Sequence, residues 1–237
     1  MNQLSEDLDI AIILGGDGTL LHIAETAARY GVPVIGINLG NLGFLTELNE
    51  KETKPALTQI IGGSVTMELR SMLKARLISS DGKSKYCYAL NDVVISKNAA
   101  DRLLYLSTKA DNDYITTYKA DGLIISTPTG STAYSLSAGG PLVHPGLDTI
   151  LVTPICPFML SSRPIILPPD TTSSSELQTE DHSAAADIII DGQKSWEMIP
   201  GDILEVEKAE HPLQLIVSTE KDYFTILRNK LKWGSDA

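Results

Sequence analysis

The 237-residue chain has only two cysteines, Cys87 and Cys156, far apart and without a CxxC pair. That excludes a disulfide framework and is expected of buried structural thiols in a reduced, cytoplasmic setting. The four histidines, His22, His144, His182 and His211, lack metal-binding spacing, so no zinc site is expected. No apolar run approaches the roughly 20 residues of a membrane span. The acidic start, MNQLSEDLDI, has no signal-peptide core. Basic residues are scarce: 19 Lys and Arg against 30 Asp and Glu leave a formal charge of −11. This argues against a nucleic-acid partner, which needs a basic face. It also means that an anionic substrate must be met by local cations or a metal. Two common phosphate-binding sequences are missing. A Walker A loop needs a lysine that Pro128-Thr-Gly-Ser-Thr132 lacks, and Gly36, Gly40 and Gly43 do not form GxGxxG.

What is present is an ordinary globular composition, 43% hydrophobic and 21% charged, long enough for one large or two modest domains. The start reads as α/β. Residues 8–14 form a short apolar strand, and 19–30 carry Leu20, Ile23, Ala24, Ala27 and Ala28 at helical spacing. Gly31 and Pro33 stop that helix, and 32–37 form a second strand, parallel to the first because a helix joins them. A loop follows at 38–43, then a helical stretch over 51–61 closed by Gly62-Gly63. Two strands alone make a thin sheet, so either strands join from elsewhere or this domain is truncated.

From Ser64 the pattern becomes antiparallel β. Residues 65–79 read as one long alternating strand, Asp81-Gly82 as a hairpin turn and 86–96 as the next strand. Residues 103–109, 114–118, 149–155, 187–190, 203–208 and 213–218 are also strand-like, whereas the polar, hydroxyl-rich 170–186 stretch reads as an exposed loop. The tail, 223–233, reads as a closing helix or an extended arm.

Three segments carry chemistry. The first, Leu14-Gly-Gly-Asp-Gly-Thr19, sets Asp17 among glycines on a strand-to-helix turn whose amides favour anions. A carboxylate there can take a proton from a hydroxyl; the alternative is a tight turn with an Asp near the helix cap. The second runs from Asp121 through Thr127-Pro-Thr-Gly-Ser-Thr-Ala-Tyr134 to Ser137, with Gly139, Gly140 and Pro141 behind it. Its hydroxyls and amides, with a short helix over 131–137, suit a sugar, an adenine edge or a phosphate, and Tyr134 can stack on a base. The alternative is a Ser/Thr-rich loop with capping hydroxyls. The third is Asn91-Asp92, an amide and a carboxylate at the entry to an apolar strand, suited to ribose hydroxyls or to a plain Asx turn.

Together these segments resemble the NAD kinase family over nearly the whole chain, from Leu8 to Trp233. The resemblance rests on Gly15-Gly16-Asp17-Gly18, Asn91-Asp92, Asp121-Gly122, Thr127 to Tyr134 and Asn38-Leu-Gly-Asn-Leu-Gly-Phe-Leu45. It implies transfer of a phosphoryl group from ATP or polyphosphate to NAD, giving NADP, with a divalent metal, Mg²⁺. It implies a truncated α/β domain (1–63, with the tail 221–237 packing back on it), a β-rich NAD-binding domain (64–220) and a homodimer or homotetramer. Carried over by position, Asp17 would accept the proton of the adenosine 2′-hydroxyl, with Gly18 beside it and His22 one helical turn on. Asn91 and Asp92 would hold the ribose. Arg102, Lys119 and Asp121 match further binding positions. Thr132, Ala133, Tyr134, Ser135, Leu136 and Ser137 would line the adenosine pocket, and Gln193 would add a late contact. Phe158 stands where the family often has a histidine. A lipid kinase of the diacylglycerol type shares the GGDGT turn, and an NAD-binding module without transfer activity is the non-enzyme alternative.

Overall fold

The computed structural model describes residues 7–40, 43–98, 103–178, 185–218 and 221–233. It divides into two units: Met1–Arg70 with His211–Ala237, and Ser71–Glu210.

The first unit is a five-stranded sheet flanked by helices. Its strands run in the order Ala11–Leu14, Val34–Asn38, Leu213–Val217, Thr66–Arg70, with Leu48–Asn49 also pairing with Val34–Asn38. The first two are parallel, Ala11 opposite Val34, as a helical crossover requires. The thin sheet is therefore thickened by strands from elsewhere: Leu213–Val217 returns from near the end of the chain to pair with Val34. All of Val34–Asn38 is buried, as a central parallel strand should be. The helix Asp17–Tyr30 buries the five apolar residues read from the sequence and ends on Gly31 at φ +64. The helix Glu50–Ile61 starts on a reciprocal Asn49–Glu52 capping box, and its Ala56 and Ile60 pack on Ile35, Ile37, Leu48 and Ile216. The tail is a helix, Tyr223–Leu231, capped by Asp222 and buried through Ile226 and Leu227.

The second unit holds two six-stranded antiparallel sheets sharing one core, with Leu73, Leu106, Leu204 and Val206 from one and Val93, Ile95, Leu123 and Ile125 from the other. One sheet runs Ile165–Leu167, Ile150–Ile155, Gly122–Ser126, Asp92–Lys97, Ala186–Ile190, Lys194–Met198. The other runs Ser84–Ala89, Leu73–Ile78, Ile203–Lys208, Ser173–Gln178, Leu104–Ala110, Asp113–Ala120.

Four local readings are corrected. The 65–79 run is two strands, Thr66–Arg70 and Leu73–Ile78, one in each unit. Alternation survives a change of sheet, so periodicity could not reveal the break. The 86–96 run likewise divides between Ser84–Ala89 and Asp92–Lys97, in different sheets. Within 170–186, Ser173–Gln178 is a strand with Ser173, Ser175 and Leu177 buried, and a bond of 3.0 Å between Ser175 Oγ and Thr108 Oγ1 satisfies those two hydroxyls inside the sheet. Cys156 is exposed rather than buried, at φ +44 just past its strand; Cys87 is buried. No helix among the described residues is long and apolar enough to cross a membrane.

Candidate functional site

Asp17 is the first residue of its helix, two positions earlier than the hydrophobic pattern indicates, and Gly16 occupies the cap without a side-chain bond. Gly15 lies at φ +149, where a Cβ would stand 2.5 Å from Thr19 Oγ1, so only glycine makes this turn without strain. Asp17 does not cap its own helix. Its Oδ2 accepts from the Phe44 amide at 2.8 Å, and its Oδ1 accepts from the amides of Leu45 (3.1 Å) and Thr46 (3.0 Å) and from the Thr46 hydroxyl (2.9 Å). The 43–46 strap can lie this close only because residue 43 is glycine: a Cβ there would stand 1.9 Å from Asp17 Oδ1. Lys230 of the tail helix stands 5.8 Å from the Phe44 ring centroid.

The strap continues into Glu47, which is 6% exposed. Burial pushes its carboxyl up to about 7, against the Ser218 amide and the Arg70 charge. Lys221 Nζ ties the same place down, donating to the Glu47 carbonyl at 2.8 Å and to Glu52 Oε2 at 2.7 Å. Gly18 and His22 are both exposed and four residues apart on one helix face.

In the second unit the candidates gather at one end of three neighbouring strands. Ser126 pairs with Asp92, and Ile190 with Val93, so Asn91-Asp92, the 127–137 segment and the turn at 191–193 meet there. Asp191 stands outside the three segments singled out from the sequence. Held at φ +48, its carboxylate accepts from the amides of Leu90 (2.8 Å), Asn91 (2.8 Å) and Asp92 (3.0 Å). An Asp-Gly pair at a strand end was the available signal, since Asp tolerates this conformation and bonds nearby amides. Asp92 is 5% exposed, and burial and then the Asp191 charge drive its carboxyl up to about 7, partly offset by a hydrogen bond from the Tyr134 backbone.

The 127–137 segment spends many of its hydroxyls on the fold. Thr127 Oγ1 donates to the Leu90 carbonyl at 2.6 Å and accepts from the Gly130 amide at 3.0 Å. Gly130 is tight against this turn, where a Cβ would meet the Asn91 carbonyl oxygen at 2.0 Å. Ser131 Oγ bridges the Val143 amide and carbonyl, Ser135 Oγ bonds Thr153 Oγ1 at 3.0 Å, and Thr132 Oγ1 donates to the Thr129 carbonyl at 3.1 Å. The expected helix is a 3₁₀ turn, Thr129–Thr132, then a single α-turn, Tyr134–Ser137, broken at Ala133 (φ −97, ψ −131). Tyr134 is 46% exposed, Ser137 is exposed, and Thr132, Ala133 and Leu136 are half-buried. Gln193 is exposed on the 191–193 turn, its amide on the Ile190 carbonyl.

Lys119 and Asp121 lie elsewhere. Gly122 pairs with Ser96, so Asp121 sits at the opposite end of the Gly122–Ser126 strand, roughly 15 Å from the Asp92 end at the usual strand rise. Asp121 Oδ1 pairs with Lys97 Nζ at 2.9 Å. Lys119 Nζ stands 5.2 Å from the Tyr105 ring centroid and 4.8 Å from that of Phe158. Arg102 lies outside the described residues.

Comparison with known proteins bears on both units. The family model for the ATP-NAD kinase N-terminal domain matches residues 1–65, and that for the C-terminal domain matches 90–218. An NAD kinase of Geotalea daltonii is 45% identical over 98% of this chain and 81% of its own length. One of Geobacter metallireducens is 46% identical over the same shares. Among solved structures, a yeast NADH kinase complexed with NADH superposes with a TM-score of 0.88 at 32% identity, covering 97% of this chain and 67% of that one. An Archaeoglobus fulgidus NAD kinase in complex with ATP gives 0.81 at 27% identity, covering 98% and 87%.

Proposed function

The chain belongs to the NAD kinase family and phosphorylates NAD, and we propose that Asp17 is the base that takes the proton from the adenosine 2′-hydroxyl. The observation that supports this role is the carboxylate itself. Four donors hold it at a helix start, three of them on Oδ1, so Oδ2 keeps a lone pair for an incoming hydroxyl. As the 2′-oxygen bonds to the terminal phosphorus of the donor, its proton passes to Asp17 and the shortened phosphate chain leaves. A hydroxyl is a poor nucleophile, and a placed acceptor speeds its attack. The positive end of the helix that Asp17 opens favours the negative charge of the phosphates.

Asn91 and Asp92, held by Asp191, bind the ribose, and the exposed Tyr134 ring stacks on the adenine. Thr132 to Ser137 and Gln193 complete the nucleoside contacts, and Gly18 and His22 flank Asp17. Arg102, Lys119 and Asp121 contribute further binding. The donor is ATP or polyphosphate. Mg²⁺ would neutralise the transferring phosphates, and such ions are commonly carried by the phosphates themselves. The described residues hold no group of three or more His, Cys, Asp or Glu fit to cage an ion. The protein works in a reducing cytoplasm as a homodimer or homotetramer. The exposed Phe158, Met159 and Leu160 support association.

One assay tests the reading: NADP formation from NAD with Mg²⁺ and either ATP or polyphosphate, for wild type and Asp17→Asn. The expected result is turnover lost in the variant while calorimetry still shows NAD binding. Wild-type turnover in Asp17→Asn removes Asp17 as the base.

A further inference from the structure

Asp17 poses a problem that its neighbours solve. The terminal torsion of an aspartate is broad, so a half-exposed carboxylate does not hold one oxygen toward a substrate unaided. Asp17 has four donors among the described residues, and three are backbone amides, which no substitution removes directly. The fourth, the Thr46 hydroxyl, is the only side chain among them.

The direction of that hydroxyl is set by Asn38. Asn38 ends the strand Val34–Asn38 and is 6% exposed; Thr46 is fully buried. The Gly40 amide donates to Asn38 Oδ1 at 2.7 Å, which fixes which end of the side-chain amide is oxygen. Nδ2 therefore faces Thr46 and donates to its Oγ1 at 2.9 Å. A hydroxyl has one hydrogen, and it cannot point at a donor. The Thr46 hydrogen is committed to Asp17 Oδ1. Among the described residues that oxygen then carries three donors, more than its lone pairs can serve well, while Oδ2 carries one. The rotamer of Thr46 is fixed as well: its Cγ2 packs where a Cβ on Gly36 would come within 2.6 Å, and a β-branched side chain is stiff at χ1.

We propose that Thr46, oriented by Asn38, is a positioning residue of the kinase reaction: it commits Asp17 Oδ1 to the fold and reserves Oδ2 for the proton. This rests on Asp17 being the base. Thr46 touches no reacting atom and acts only through Asp17, so its loss reduces turnover rather than NAD binding.

The test is a set of variants assayed for NADP formation, with thermal melts as a folding control. Thr46→Val keeps the shape and removes the hydroxyl, and its kcat falls about 10- to 100-fold with KM for NAD within about twofold, the scale of a misplaced catalytic group. Thr46→Ser restores the hydroxyl and recovers kcat to within a few-fold of wild type. Asn38→Leu frees the Thr46 hydroxyl to turn, and kcat falls by a smaller factor, about 3- to 10-fold, at unchanged KM. If Thr46→Val does not fold, Asn38→Leu carries the test. The proposal is overturned if Thr46→Val turns over like wild type, if Thr46→Ser falls as far as Thr46→Val, or if KM rises in place of the loss in kcat. Asp17→Asn is run alongside: an active Asp17→Asn removes the base itself, whereas an inactive one beside an unaffected Thr46→Val removes only the relay.

Discussion

Asp17 in the first unit accepts the backbone amides of three consecutive residues, Phe44, Leu45 and Thr46; Asp191 in the second accepts those of Leu90, Asn91 and Asp92. Each is an aspartate pinning a turn that belongs to a distant part of the chain. The two differ in where the chemistry falls. In the first unit the clamping carboxylate is the proposed base, and the strap it holds is scaffold. In the second the clamp is scaffold, and the pair it holds, Asn91-Asp92, is the proposed ribose contact. The difference also shows in charge. The fourth partner of Asp17 is a hydroxyl, which adds no charge, whereas Asp191 sets a second carboxylate against the buried Asp92 and helps to drive it up to about 7.

The contrast is broken most strongly at Asp17. Asp17→Asn should cut turnover by about 10²- to 10⁴-fold, the usual contribution of a placed base, with NAD binding retained. A fall in affinity instead would put Asp17 among scaffolding clamps. Next in size is stability against pH. Asp92 and, in the first unit, Glu47 both bind protons more tightly folded than unfolded, since both carboxyls are raised to about 7. Their stabilising effect is full below about pH 4, is lost as pH rises to about 7, and changes little beyond. Three pKa units correspond to up to about 4 kcal/mol for Asp92. Urea melts from pH 4 to 8 should show stability declining with pH, and Asp92→Asn and Glu47→Gln should each flatten part of the slope. A slope unchanged in both variants would mean that neither carboxyl is held protonated.

Asp191→Ala comes third. Leaving three amides without their acceptor costs about 1–3 kcal/mol, so NAD should bind about 10- to 100-fold more weakly, with turnover at saturating NAD less affected. A loss confined to kcat would give Asp191 the role assigned to Asp17. The smallest effect expected is that of Tyr134→Ala, about tenfold in NAD affinity, at the lower end of base stacking on an aromatic ring. An unchanged dissociation constant would exclude stacking on that ring.

Much of this was legible along the chain. The periodicity of 19–30 named the five buried residues of the first helix, and the GGDGT and Asn91-Asp92 segments named the centres of both candidate regions. The reading failed where partners lie far apart in sequence. Asp17 was legible as a carboxylate on a strand-to-helix turn, but its donors, 27 to 29 positions away, were not. Asp191 stands outside the segments singled out from the sequence, but it holds residues about 100 positions back. The hydroxyls of 127–137 looked displayed to a ligand, yet those of Thr127, Ser131, Thr132 and Ser135 are spent on nearby atoms of the fold. Asp121 stands at the other end of the strand that Asp92 borders, and Lys119 belongs to the facing sheet, opposite Tyr105.

By itself the sequence determined the local conformations and the family: glycine where φ is positive, apolar spacing where a helix buries one face, and motifs in a fixed order. Backbone sterics and side-chain period act over a few residues, so a short stretch encodes them fully. Only the tertiary structure decided that Leu213–Val217 completes the first sheet, that 65–79 divides between two units, and which amides the two aspartates meet. A carboxylate binds whatever donors the folded chain returns to it, and that return depends on the packing of the whole unit rather than on its neighbours in sequence.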